Sequence, residues 1–397
     1  MNKTSLNVAL VGLSTLGHAI ARNIAFKSRS AVYLQLYNPS NTKKMRFVCD
    51  AIWQDGAQCA IRMHTDKRTL LKWSDVIIFA TPASLTYELL NPGEKNRQNP
   101  LPKTSDMMLS MMEGVRPGQI FIDHSASVPE HVEHMADHIH RRGATYLDIP
   151  YNGNAAQAKQ GSLTLMAGGA LDVFNKVLPL LRLYAESITH MGKVGSGVSA
   201  KMILQQLIAL HSVAAAEAMT VAHHSGLNES KLLSVLDSSW ASSVMLRRDA
   251  PAMESLLRNP DSHPPQGQFN IRHVYDDLKL LLTNDTLREN LIANKKENIQ
   301  LPFTSTAFRM FQQIVNSGMG DCEMAALVHF LGVQSTEGSS EPVADTSDEQ
   351  NNSQVWEKYT PEGAKKSKQK KGGSKRKKTL LSLLANQQGG SSPAESY

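Results

Sequence analysis

The sequence contains few cysteines, few aromatic residues and no long uninterrupted apolar run. Only 3 of its 397 residues are cysteines, and 6% are aromatic. Three cysteines without metal-ligand spacing exclude a disulfide framework and fit a reducing compartment. No apolar run approaches the ~20 residues that span a bilayer, so we expect a soluble chain with no transmembrane segment. The six residues before the first apolar strand leave no room for a signal or transit peptide, which favours a cytoplasmic location.

The 14 histidines do not form a recognisable metal-binding motif. No His-Glu-x-x-His or His-x-x-Glu-His pattern occurs, and His131, His134, His138 and His140 are spaced as on a solvated helix. We therefore predict no metal site.

Charge is distributed unevenly, with both extremes near the end of the chain. Residues 337–362 hold seven acidic residues and one lysine, whereas residues 365–378 hold nine Lys/Arg and no acidic residue. Residues 332–397 are poor in apolar residues and are predicted to be a disordered tail. The basic cluster from Lys365 to Lys378 is compatible with contacts to nucleic acid, to nuclear import machinery or to acidic surfaces, and import would make the location nuclear. A solvated tail without a dedicated partner remains the open alternative.

A strand, a tight turn and a helix open the chain. Residues 8–11 form a continuous apolar strand of the kind buried in a parallel sheet, and a Gly-x-Ser-x-x-Gly turn follows. Glycine at both ends allows a sharp turn and close packing of helix on strand, and the helix N-terminus can then receive a pyrophosphate. This pattern predicts cofactor contacts from Gly12, Leu13, Ser14, Leu16 and Gly17.

Two further strand ends are predicted to border the cofactor. The second strand ends at Asn38 and Ser40, and no acidic residue stands there to bind a ribose hydroxyl, which favours NADP over NAD. Another buried strand ends at Thr81 and Pro82, and the carboxyl ends of parallel strands line the ligand crevice.

Strands and helices alternate up to about residue 168, which is typical of a doubly wound α/β fold. We therefore expect a Rossmann domain at 1–168, an all-helical domain at 169–331 with a long interdomain helix from about residue 198, and the tail at 332–397.

The long helix carries a lysine near its start. Lys201 follows glycines at 192, 195 and 197, and no other charged residue occurs before Glu217. Partial desolvation in a cleft lowers the pKa of a lysine toward the range that suits proton transfer. A surface lysine on an ordinary core helix is the alternative.

Five blocks occur in a fixed order along the chain: Gly12-x-Ser14-x-x-Gly17, Asp123-His124-Ser125, Asp148 to Gly153 with Ala158 and Gly161-Ser162-Leu163-Thr164, Gly192 to Lys201, and Glu217-Ala218. In this order they resemble the β-hydroxyacid dehydrogenases, which include 3-hydroxyisobutyrate dehydrogenase, the glyoxylate/succinic semialdehyde reductases, tartronate semialdehyde reductase and 6-phosphogluconate dehydrogenase. The resemblance spans roughly residues 7–331.

The resemblance implies roles for individual residues. Lys201 falls on the family's general acid/base, and Ser125 falls on its substrate-binding serine. Asn152 and Gly153 stand where the family presents donors to a substrate carboxylate, and Gln205 stands where it has an orienting asparagine. The resemblance also implies a homodimer or homotetramer.

The chain departs from the family pattern at several positions near the expected site. Ser14 replaces the middle glycine of the turn, and Asn154 replaces a glycine of the substrate loop. Asp276 replaces a lysine that approaches the family's active site, and Pro39 replaces an arginine suited to a 2′-phosphate.

Two hypotheses therefore stand. In the first, the protein is an NAD(P)-dependent oxidoreductase acting on a small 3-hydroxyacid or its semialdehyde, and the retained Lys201 favours it. In the second, it is a catalytically weak or inactive dinucleotide-binding scaffold or sensor that meets partners through its basic tail, and the departures favour it.

Overall fold

The structure, a computed structural model, describes residues 5–39, 42–90, 111–267, 269–283 and 300–332. Residues 91–110, the tail beyond residue 332 and the cofactor candidate Ser40 lie outside this part of the chain.

The described residues form nine strands and thirteen α-helices, besides short 3₁₀ and π segments. The strands are β1 (Leu6–Val11), β2 (Val32–Tyr37), β3 (Ala60–Met63), β4 (Val76–Phe79), β5 (Ile120–Asp123), β6 (Thr145–Asp148), β7 (Tyr151–Asn152), β8 (Leu163–Gly168) and β9 (Ala185–Gly192). The helices are α1 (Thr15–Lys27), α2 (Thr42–Gln54), α3 (Lys67–Lys72), α4 (Ala83–Leu90), α5 (Pro129–His140), α6 (Ala155–Gln160), α7 (Leu171–Leu181), α8 (Ser196–His224), α9 (Glu229–Asp237), α10 (Val244–Arg258), α11 (Ile271–Thr283), α12 (Pro302–Ile314) and α13 (Leu327–Gly332).

The strands form one sheet in the order β3-β2-β1-β4-β5-β6-β8-β7, and β9 pairs with β8. From β3 to β6 all neighbours are parallel, whereas β8 runs antiparallel to β6. Alternate β1 residues serve the cores on the two faces of the sheet: Val8 and Leu10 pack on one face, Ala9 and Val11 on the other. The predicted doubly wound fold is confirmed, and the strand order reverses between β1 and β4, where such sheets bind ligands.

Three strands were not predicted, and they move the end of the sheet domain. β3 is a largely exposed edge strand, β7 is only two residues long, and β9 mixes polar and apolar residues without a strict alternation in Ala-Glu-Ser-Ile-Thr-His-Met-Gly. Because β9 pairs with β8, the sheet extends to Gly192, beyond the boundary expected at residue 168.

The 29-residue helix α8 is the centre of the second domain. It packs on α10, α11, α12 and α13, and its first turns contact β8. By length and composition alone, α8 is the one helix among the described residues that is apolar enough to cross a membrane. Our sequence criterion did not single it out, and the core helix of a globular protein meets the same criterion.

Candidate functional site

The turn between β1 and α1 requires glycine at both ends. Gly12 has a φ of +93°, and a Cβ added there would lie 2.6 Å from Thr81 Cγ2. A Cβ on Gly17 would lie 2.0 Å from the Gly12 carbonyl oxygen. Ser14 is the N-cap of α1, and its hydroxyl lies 3.4 Å from the Ala80 carbonyl oxygen, which it donates to. The turn therefore brings the positive end of α1 to the carboxyl ends of β1 and β4.

The side chains of Leu13 and Leu16 support this turn by packing into the core of the sheet domain. The Leu13 side chain is buried in the core, and Leu16 packs partly against the same core. The Leu13 backbone N–H donates to Asn38 Oδ1 at 3.3 Å, so Asn38 ties the end of β2 to the turn.

Thr81 and Pro82 lie at the end of β4, across the turn from β1. The Thr81 side chain is buried, its hydroxyl lies 2.6 Å from the Thr86 hydroxyl, and Pro82 is exposed. Thus Gly12 and Thr81 face each other at the switch point, where a dinucleotide-binding sheet receives its ligand.

Ser125 follows β5 in an enclosed position. Its backbone N–H donates to Asp123 Oδ1 at 2.8 Å, and Tyr146 donates to Asp123 Oδ2 at 2.6 Å. Burial raises the pKa of Asp123, and these hydrogen bonds oppose the increase. The Ser125 hydroxyl lies near Asp123 but makes no hydrogen bond of normal geometry, although the residue is only 5% exposed. A bound ligand would be able to satisfy it.

Asn152 and Gly153 lie on a short strand and the turn that follows it. Asn152 pairs with Thr164 across the antiparallel β7–β8 contact. Gly153 has a φ of +144°, and a Cβ there would lie 2.8 Å from Leu163 Cδ2. Asn154 is exposed, and its side chain caps α6 by accepting from the Gln157 N–H at 2.9 Å. The larger side chain at residue 154 therefore stabilises the N-terminus of α6.

Asp148, at the end of β6, holds the start of α8. Its carboxylate accepts the Gly195 N–H at 2.9 Å and the Val198 N–H at 3.0 Å. Burial raises the pKa of Asp148 to about 6 against the effect of these bonds. Gly197 makes the close approach possible, because a Cβ there would lie 2.4 Å from the Asp148 carbonyl oxygen.

Lys201 lies in the second turn of α8 and faces an acidic residue of α11. Burial lowers the pKa of Lys201, and the nearby Asp277 carboxylate opposes that decrease. Gln205, one turn later, is 4% exposed and donates from Nε2 to Asp277. Because a carboxylate only accepts hydrogen bonds, the Gln205 amide must turn its Oε1 elsewhere, and this buried oxygen has no partner.

Asp277 was missed by our reading of the sequence, which gave weight to Asp276 instead. Asp276 is exposed, whereas burial raises the pKa of Asp277 beside Lys201. Tyr151 is near the same group, since burial and the Asp277 charge both raise the pKa of its phenol. Helical spacing was the usable signal: the inward face of α11 carries Val274, Leu278 and Leu281, and residue 277 is three after the first and four before the last.

Across the described ranges, no three or more His, Cys, Asp and Glu side chains are grouped so that they would hold a metal ion.

These features define a dinucleotide-binding protein of the oxidoreductase type, with a Rossmann-like N-terminal domain and a helical C-terminal part. Residues 99–192 match the family model for the NAD binding domain of 6-phosphogluconate dehydrogenase. Residues 195–331 match the model for the NAD-binding region of NADP-dependent 3-hydroxyisobutyrate dehydrogenase. The chain belongs to the β-hydroxyacid dehydrogenase family, and its cofactor is a nicotinamide dinucleotide.

Individual relatives are distant but match nearly end to end. Mitochondrial 3-hydroxyisobutyrate dehydrogenase of Drosophila melanogaster is 25% identical over 329 residues, covering 82% of this chain and 89% of the relative. The 2-hydroxy-3-oxopropionate reductase of Escherichia coli is 26% identical, with coverages of 82% and 97%. The solved 3-hydroxyisobutyrate dehydrogenase of Mycobacterium tuberculosis with L-serine has a TM-score of 0.63 at 19% identity, covering 83% of this chain and 99% of that one, which supports the fold.

Proposed function

We propose that the protein interconverts a small 3-hydroxyacid and its semialdehyde with NAD(P), and that Lys201 is the general acid/base. The observation that carries this proposal is the cluster of Lys201, Gln205 and Asp277 at the start of α8, where burial lowers the pKa of the lysine. The unsatisfied polar atoms of Ser125 and Gln205 support a substrate site there.

The residues around the β1–α1 turn fit a dinucleotide. Any Cβ at Gly12 or Gly17 would fill the turn, and the first turn of α1 carries no acidic residue to repel a pyrophosphate. Such a cofactor would supply hydride transfer at the carbon that bears the substrate oxygen. NADP is the preferred form in this proposal, because Asn38 is uncharged and Lys43 is exposed nearby in sequence.

Lys201 would move the proton that accompanies this redox step. In the reductive direction its ammonium donates a proton to the developing alkoxide, and in the oxidative direction its amine takes the hydroxyl proton. Burial makes the neutral amine accessible, while Asp277 keeps the ammonium from becoming too strong an acid. Ser125, Asn152, Gly153 and Gln205 would orient the substrate.

Replacing Lys201 with methionine tests the proposal. Fluorescence titration with NADPH and NADH, followed by absorbance assays with a panel of small semialdehydes, should show dinucleotide binding and turnover for the native protein. The variant should bind cofactor normally and lose turnover by about 10²–10⁴-fold. Lys193→Met is the control, because Lys193 is exposed and pairs with Glu133 at 3.7 Å.

Binding without turnover by the native protein would support the alternative, a dinucleotide-binding scaffold that acts through its basic tail. Absence of binding to either cofactor would contradict both.

The proposal also includes the oligomeric state and the cellular location of the protein. We expect a homodimer or homotetramer, because α8 exposes Ile203, Leu207 and Val221 by 50% or more. A cytoplasmic location follows from the predicted reducing compartment, and a nuclear one would follow if residues 365–378 bind import machinery.

A further inference from the structure

His124 is an enclosed histidine between two residues of the candidate site. It lies between Asp123 and Ser125, is 2% exposed, and its backbone N–H donates to the Phe79 carbonyl at 3.0 Å. The backbone of His124 is therefore fixed at the carboxyl ends of β4 and β5.

Both ring nitrogens of His124 are hydrogen-bonded, and their partners determine the tautomer. Nδ1 lies 2.6 Å from the Ile149 carbonyl oxygen, which only accepts, so Nδ1 carries the proton. Nε2 lies 3.0 Å from the Tyr184 hydroxyl oxygen and must then accept a hydrogen bond that this hydroxyl donates. Burial lowers the pKa of His124 to about 4, so the ring is neutral at pH 7. Tyr184 is fully buried, and its ring meets the imidazole edge-on at 86°.

The ring joins two segments that the proposed function assigns to the substrate. Ile149 follows β6 and is bound by two hydrogen bonds to residues at the end of β5. Its N–H donates to the Asp123 carbonyl at 2.7 Å, and its own carbonyl accepts from His124. The chain then passes through Pro150 directly into β7, which carries Asn152. Ser125 is the residue after His124. The imidazole thus connects the backbone before Ser125 to the backbone before Asn152.

We propose that His124 and Tyr184 form a positioning pair that fixes the spacing between Ser125 and Asn152 and thereby sets substrate affinity. This inference rests on the proposed function, since it takes those two residues to bind substrate. We assign both residues a positioning role, because both side chains are enclosed: His124 is 2% exposed and Tyr184 is fully buried. Tyr184 comes from the connection between α7 and β9, so the pair also makes the site depend on the late strands of the sheet.

Tyr184→Phe removes one hydroxyl and keeps the ring, so it tests the pair with little change in packing. The expected result is a KM for the semialdehyde raised roughly tenfold, as for loss of one hydrogen bond, with the NADPH dissociation constant unchanged. His124→Asn keeps a donor for the Ile149 carbonyl and loses only the hydrogen bond to Tyr184, so its KM should match that of Tyr184→Phe. The double variant, which combines His124→Asn and Tyr184→Phe, should raise KM no more than either single substitution. His124→Leu removes both bonds and should raise KM further.

Val177→Ala is the matched control, because Val177 is buried in α7 and its apolar side chain takes no part in the hydrogen bonds of the pair. It should lower the melting temperature and leave KM unchanged. A Tyr184→Phe enzyme with native KM, or a double variant whose effects simply add, would overturn the proposal.

A second readout does not depend on turnover. The ¹⁵N spectrum of the His124 ring should show a proton on Nδ1 at pH 7, and the Nε2–H tautomer would contradict the pair even if no substrate were found. Failure of the native protein to turn over any semialdehyde would instead contradict the proposed function, and the ring spectrum would still report on the pair's geometry.

Discussion

Asp249 is a buried carboxylate in α10 whose cost to stability should depend on pH. It is 3% exposed, and its Oδ2 has no hydrogen-bond partner. Burial raises its pKa from 3.8 to about 6, with Arg248 opposing and Glu323 adding to the increase. Since the folded state binds the proton more tightly than the unfolded chain, the stability that this group contributes is present below pH 3.8. It is lost as the pH rises through about 6.

Asp249→Asn should remove this pH dependence. The native protein should lose on the order of 2 to 3 kcal/mol relative to the variant between pH 4 and pH 7, the equivalent of the pKa difference. Urea unfolding of both proteins at several pH values measures this. Asp172→Asn is the control, because Asp172 is exposed and paired with Lys176. A native-minus-variant difference that stays constant with pH would refute the interpretation.

Some residues of the candidate site could be predicted from sequence motifs, and others could not. The glycine turn and Lys201 are candidates from residue type and spacing alone, because steric need and charge restrict what can stand there, whereas Ser125 is a candidate only through the family resemblance. The roles of His124 and Tyr184 do not, since their contact joins positions 60 apart and is made only when β9 completes the sheet. Asp277 is an intermediate case. The helical spacing of α11 places residue 277 on the inward face, but the adjacent Asp276 is the residue that stands at the position of the family's lysine.

At the scale of elements, α8 and β6 form one unit through the Asp148 carboxylate. Asp148→Ala should leave the Gly195 and Val198 N–H groups without their acceptor, at a cost of about 1–3 kcal/mol. Because Lys201 follows within two turns, turnover should fall by more than the loss of stability explains. Thermal unfolding and kcat at saturating cofactor measure the two effects.

Asp66→Ala is a matched control for that experiment. Asp66 caps α3 in the same manner, accepting from the Arg68 and Thr69 N–H groups. Its loss should lower stability while kcat at saturating cofactor stays near the native value. Equal effects of the two substitutions on kcat would contradict the prediction that Asp148 positions Lys201 through the start of α8.

Elements differed in how well the sequence predicted them. The buried parallel strands β1, β2, β4, β5 and β6 are short apolar runs beside turn residues, and local pattern sufficed. β3 and β9 have mixed, partly exposed sequences and depend on their neighbours in the sheet for pairing. The helical domain followed from long stretches without Gly or Pro, such as residues 202–222.

For the whole molecule, the residues up to Ser335 form one compact unit. Its cores and hydrogen bonds, as far as they are described, come from that unit alone. A chain that ends at Ser335 should therefore keep the melting temperature, cofactor affinity and turnover of the full chain.

Loss of residues 336–397 should affect only polyanion binding. The full chain should bind heparin in low salt and release it as salt increases, because nine basic residues lie within residues 365–378. A variant with those nine residues changed to glutamine separates the basic cluster from the rest of the tail. Lower turnover in the shortened chain would show that the tail takes part in the site.

The position of Lys201 along α8 has a mechanical consequence. The helix is about 42 Å long from Ser196 to His224, at ~1.5 Å per residue, and only three residues separate its start from the end of β9. A tilt of about 5° around that start would carry the far end, where His223 meets Glu229, through roughly 4 Å. The same tilt moves the Lys201 backbone by less than about 1 Å. The proposed proton-transfer lysine therefore lies beside the end of α8 that meets the sheet, where such a tilt would change its position least.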